Sequence, residues 1–165
     1  MTSNDLFGAM PVALATEILE YSHATDKKLY RAAVEAVAQA RKERSIFLER
    51  QPREQRHSFM VGSLNRPDLA VAGDTLLRHW LLKKHNALLV DFLNALGVPH
   101  ENGVVDNLPK TVDDALLKNA INQLLTKHPA PVVAVYLHAF NSMNGENWTN
   151  LDTDLHEDDR LELKK

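Results

Sequence analysis

Apolar residues recur at steps of three and four along most of the chain, the spacing that gathers side chains on one face of an α-helix. The longest such stretch is DTLLRHWLLKKHNALLVDFLNALGVP, Asp74 to Pro99. Leu77, Leu81, Leu88, Phe92 and Leu96 share one face, and Leu82, Leu89 and Leu93 widen it. Leu76, Trp80, Ala87 and Val90 carry apolar surface onto the remainder, leaving a narrow polar arc through His79, Lys83, Asn86 and Asn94. A helix apolar nearly all round is buried by its neighbours. Asp74 is its expected N-cap; Gly97, Val98 and Pro99 form its stop signal. The pattern therefore predicts a buried central helix over 75–96.

Upstream, Pro11 suits a first helical turn, and Val12, Leu14, Ile18, Leu19 and Tyr21 continue a stripe to His23. Thr25 is the expected cap of the next helix, with Asp26 in its first turn. Leu29, Ala33, Ala36, Val37 and Ala40 give that helix a small-residue face that another helix can approach closely. The pattern lets it run on through Ile46, Phe47 and Leu48 until Pro52 interrupts. A short helix lies within Arg53 to Leu64, Asn65-Arg66-Pro67 is a turn, and Gly73 breaks the chain ahead of the central helix.

Beyond the centre, His100 to Lys110 is a loop, Thr111 caps a helix carrying Leu116 to Leu125, and Pro129 and Pro131 open another. Val132 to Leu137 is rich in residues that also favour strands, so the element type stays open there. Residues 1–10 read as a lead-in, and 146–165 as an acidic C-terminal tail, loosely docked through Trp148 and Leu151. The expected fold is all-α: a single-domain bundle spanning 1–165, with about six or seven helices around 75–96.

Leu81 to Gly97 and Leu124 to Asn141 resemble one another at an offset of 43 residues through the Lys-His step, then 44. Two-helix HEAT-like repeats have periods of about 40–47 residues. Two buried helices drawing on Leu, Ala and Val would look alike without any repeat, and both readings stay open.

Apolar residues make up 44% of the chain and charged residues 25%, ordinary globular values that require no metal or disulfide for stability. The net charge of −3 gives no general attraction to nucleic acid or anionic membrane. The absence of cysteine removes disulfides and thiol chemistry and suits a cytoplasmic protein. No signal peptide or membrane span is expected from the sequence.

Candidate chemistry is sparse. Glu20-Tyr-Ser-His23 and Glu54-Gln-Arg-His57 are Glu-x-x-His motifs, which on helices place both groups on one face, as in carboxylate-bridged di-metal bundles. Ten Glu and eight His make about half such a motif by accident, so the pair carries little weight as a metal site. His85 within the central stripe and His138 in Tyr136-Leu137-His138 are candidate bases or ligands, against the plainer reading of satisfied core histidines. Residues 41–56 carry Arg41, Lys42, Arg44, Arg50, Arg53 and Arg56, but Glu43, Glu49 and Glu54 interleave. That interleaving disfavours nucleic acid.

No phosphate loop or nucleophile elbow is present, and no cofactor is expected. The leading reading is a non-catalytic helical protein–protein interaction module, binding a protein partner or itself. Its rival is an enzyme or small-ligand binder whose site lies between helices and uses His and carboxylate residues. A third reading is nucleic-acid binding through 41–56. Convergence of His23, His57, His85 or His138 on one cavity separates the first two.

Overall fold

The computed structural model describes residues 1–143 and 146–164, and among them the regular structure is helical, with no strands. Ten α-helices form among the described residues, where the sequence pattern predicts about six or seven. The chain divides into two compact units, Met1–Trp80 (to which Lys164 also belongs) and Leu81–Leu163.

The first unit holds α1 (Ser3–Ala9), α2 (Val12–Thr25), α3 (Lys27–Ala40), α4 (Ser45–Arg50), α5 (Arg53–Ser63), a 3-10 turn at Pro67–Leu69 and α6 (Ala70–His79). The stretch read as a lead-in is thus a helix. Leu6, Phe7 and Met10 are buried, and the Ser3 hydroxyl donates to the Ala70 carbonyl at 2.7 Å. Gly73 lies inside α6, where a Cβ would meet the Phe7 ring at 3.3 Å; its smallness admits α1 and does not break the helix. Asp26, not Thr25, caps α3 by accepting from the Leu29 amide at 3.0 Å. The small-residue face of α3 receives α6, with Ala33 and Val37 buried.

α3 does not run on to Pro52. Lys42 adopts the left-handed conformation (φ +56°), and the amides of Lys42 and Glu43 return to the Gln39 and Ala38 carbonyls at 3.1 and 2.8 Å. This is the paired closure of a Schellman stop, with lysine where glycine is usual. The chain restarts as α4.

The central helix predicted over 75–96 is interrupted. Helix α6 begins at Ala70, with Asp74 inside it paired to Arg78 at 3.0 Å. A π-helical turn follows at Trp80–Lys84, and His85 (φ −110°, ψ 28°) starts α7 (Asn86–Leu96) as its N-cap. The π turn interrupts the regular helical repeat on which the continuous stripe was read. The stop at the far end forms as expected: Gly97 is left-handed (φ +67°), and the Val98 amide bonds the Leu93 carbonyl at 3.0 Å.

The second unit contains α7, a loop with a Glu101–Val104 bridge, α8 (Asp114–Lys127), α9 (Ala130–Met143), α10 (Thr149–Glu157) and a 3-10 turn at Asp159–Leu161. Asp113, not Thr111, caps α8. Val132 to Leu137 is helical and wholly buried, so α9 is the helix enclosed on nearly all sides. Phe92 meets Tyr136 and Phe140 edge-on at centroid distances of 5.6 and 5.3 Å. Gly103 (φ +85°) packs so close to α7 that a Cβ would stand 2.8 Å from that of Leu89. The acidic tail is docked more firmly than expected: Trp148 donates to the Pro109 carbonyl at 2.8 Å, and Leu151, Leu155 and Leu161 are buried. Asp152 and Glu157 lie on the exposed side of α10 while Leu151 and Leu155 face inward, a spacing hidden in the sequence by the density of charge.

Candidate interaction surface and the polar network behind it

Helix α4 is six residues long, with Leu48 buried beneath it and Ile46 and Phe47 exposed at 44% and 53%. So short a helix has no stability of its own. Its C-terminal carbonyls are instead held by one side chain. Arg56 on α5 donates from Nε to the Leu48 carbonyl (2.9 Å) and from Nη2 to the Glu49 and Gln51 carbonyls (3.1 and 3.0 Å). A cation at a helix C-terminus meets both the unpaired carbonyls and the negative end of the dipole.

From Arg56 the network runs inward. Nη1 donates to the Tyr30 hydroxyl at 3.1 Å, which lies 2.7 Å from His57 Nε2; His57 Nδ1 lies 3.0 Å from Glu20 Oε1. Arg53 pairs with the other Glu20 oxygen at 3.4 Å. His57 is 1% exposed, and this burial holds its pKa below the ordinary imidazole value despite the nearby Glu20 carboxylate. The neutral ring must carry its proton on Nδ1, facing the carboxylate, so Nε2 accepts from Tyr30. Burial raises the Tyr30 pKa and keeps the phenol protonated. Helices α2, α3, α4 and α5 are thereby tied through one chain of hydrogen bonds.

Of the sequence candidates, this unit gathers Glu20, His23 and His57 but leaves Glu54 exposed in the first turn of α5. Both nitrogens of His57 are engaged, so it offers no lone pair to a metal, and no group of three or more potential ligands suited to a metal occurs among the described residues. His23 stands edge-on to Tyr30, with centroids 4.8 Å apart. His85 and His138 belong to the second unit. His85 is the half-buried N-cap of α7, and His138 is half-buried with Nε2 3.3 Å from the Leu161 carbonyl.

Sequence reasoning missed Tyr30, and it named Arg56 only within the basic stretch 41–56, not as the clamp of α4. The signal available was Arg56 four residues behind Pro52, within reach of the end of an apolar run. Nothing in the spacing identified Tyr30 as the link. Among the basic residues, Arg41 lies over the Phe59 ring at 5.1 Å, Arg53 and Arg56 are engaged as above, and Lys42, Arg44 and Arg50 have no acidic partner among the described residues. No protein-family model matches the chain, and neither a curated protein nor a solved structure is significantly similar to it.

Proposed function

We propose that the protein is a non-catalytic helical interaction module that docks a protein partner on α4. The observation that carries this reading is the adjacent pair Ile46 and Phe47, held outward on a helix pinned from below by Leu48 and Arg56. Isolated exposed apolar residues need no explanation, but two neighbours on a rigid support lose little further freedom on binding. Full burial of such a side chain is worth about 1.5–3 kcal/mol, and roughly half remains to be gained by each. Arg41, Lys42, Arg44 and Arg50 outnumber Glu43 and Glu49 around them, which favours a partner presenting an apolar pocket with an acidic rim. Two copies of α4 facing each other would oppose like charges, which disfavours symmetric self-association through this helix. The interleaved acids likewise disfavour nucleic acid.

A photo-crosslinker placed at position 47 in cells tests this reading. One discrete protein adduct is expected, and that partner, once purified, should bind directly. Ile46→Ser/Phe47→Ser should weaken binding about tenfold or more, and added salt should weaken it further. Adducts matching those from exposed Gln39, a nucleic-acid adduct, or a partner indifferent to the double variant would refute the proposal.

A further inference from the structure

A second feature adjoins α4 and shares Arg56 and Glu49 with the docking surface. Lys27 and Arg31 on α3, His23 at the end of α2, Arg56 on α5 and Glu49 on α4 line a groove of about 420 Å³ whose floor includes Tyr30. The volume suits a small metabolite. Lys27 and Arg31 are exposed, one helical turn apart on the same side of α3, and have no acidic partner among the described residues.

We propose that this groove binds a small organic phosphate bearing a hydroxyl group, the phosphoryl oxygens held by Lys27, Arg31 and Arg56 and the hydroxyl by Glu49. Arg56 is the fixed element. Four of its five N–H groups are spent on the Leu48, Glu49 and Gln51 carbonyls and the Tyr30 hydroxyl, which leaves one Nη1 hydrogen on a guanidinium already held in place. A donor immobilised in advance loses little entropy on accepting a ligand. His23 makes no side-chain hydrogen bond among the described residues. Burial and the nearby Arg53 cation keep its pKa below the ordinary value, so it presents a neutral ring with one donor and one acceptor nitrogen. Three cations against the single carboxylate of Glu49 select an anion, and the carboxylate supplies the acceptor for a hydroxyl.

Titration of the full chain with glycerol 3-phosphate and with inorganic phosphate, followed through the imidazole resonances of His23, tests the site. Both probes should saturate, glycerol 3-phosphate at the lower concentration, and Glu49→Gln should narrow the gap. Lys27→Gln/Arg31→Gln should weaken both by about tenfold or more. Arg44→Gln/Arg50→Gln, which removes equal charge outside the groove, should change neither. Shifts that never saturate, equal losses from the two double variants, or a Lys27→Gln/Arg31→Gln protein that binds as before would overturn the proposal.

Discussion

Replacing Tyr30 by Phe removes one oxygen atom from the centre of the network and almost no volume, so its effect isolates hydrogen bonding. Two groups lose a partner: His57 Nε2, 2.7 Å away, and Arg56 Nη1, 3.1 Å away. Arg56 is part-buried and can take water in exchange. His57, at 1% exposure, has no such recourse. An orphaned buried acceptor costs about 1–3 kcal/mol, so Tyr30→Phe should destabilise by that amount. Urea unfolding followed by circular dichroism should show a lower midpoint with an unchanged slope. His57→Leu in the Tyr30→Phe background should then cost less than the same change in the parent, with a coupling of about 1 kcal/mol or more. Nitrogen chemical shifts should place the His57 proton on Nδ1. A loss below about 0.5 kcal/mol, or strict additivity of the two changes, would mean that Tyr30 and His57 are not bonded in solution.

Three other outcomes are expected. Lys42→Gly should stabilise by about 0.5–1 kcal/mol, because relief of the left-handed strain exceeds the added entropy of the unfolded glycine; a lower melting temperature would contradict the stop geometry. Leu161→Ala, at a fully buried position, should cost about 2–5 kcal/mol, and truncation beyond Asp154, which removes Leu155 and Leu161, should lower the melting temperature markedly; an unchanged melt would show the tail undocked. His23, His57 and His138 all have folded pKa values below the ordinary 6.5, so the unfolded chain binds more protons. Stability should be steady above pH 6.5 and fall as pH drops through the window beneath it. Urea midpoints that hold or rise between pH 7 and 5 would refute this.

The helical class was legible because the three-four spacing of apolar residues runs through most of the chain, and the Gly97-Val98-Pro99 stop because glycine, apolar contact and proline each restrict the backbone there. Lys42 hid the end of α3, since lysine in a sequence carries no stop signal and its left-handed backbone shows only in the folded turn. The π turn at Trp80–Lys84 was equally hidden: Leu81 and Leu88 are seven residues apart, a step that fits two helical turns as readily as a break. At the site, Glu20, His23 and His57 could be named from Glu-x-x-His spacing, but that spacing pairs residues within one helix. The contacts that formed join Glu20 to His57 across α2 and α5, with Tyr30 of α3 between His57 and Arg56. Such pairings depend on how helices cross, which periodicity does not encode.

The grip of Arg56 on the end of α4 has a consequence for proteolysis. Arg50 and Arg53 present exposed side chains of the kind trypsin selects, yet the carbonyls of Leu48, Glu49 and Gln51 on either side of Arg50 are tied down. A protease needs several residues of extended chain, so cleavage after Arg50 must wait for α4 to open, and its rate follows that opening equilibrium. Lys42 and Arg44 precede α4 and lie outside the grip of Arg56. The Glu43 amide after Lys42 is held by the Ala38 carbonyl at 2.8 Å and the Arg44 carbonyl by the Phe47 amide at 3.0 Å, so cleavage there waits on these local turns and not on Arg56. Nicking there would cut the covalent link from α3 while leaving Ile46 and Phe47 clamped to the body through Arg56, so a scission in this turn would leave the apolar pair in place.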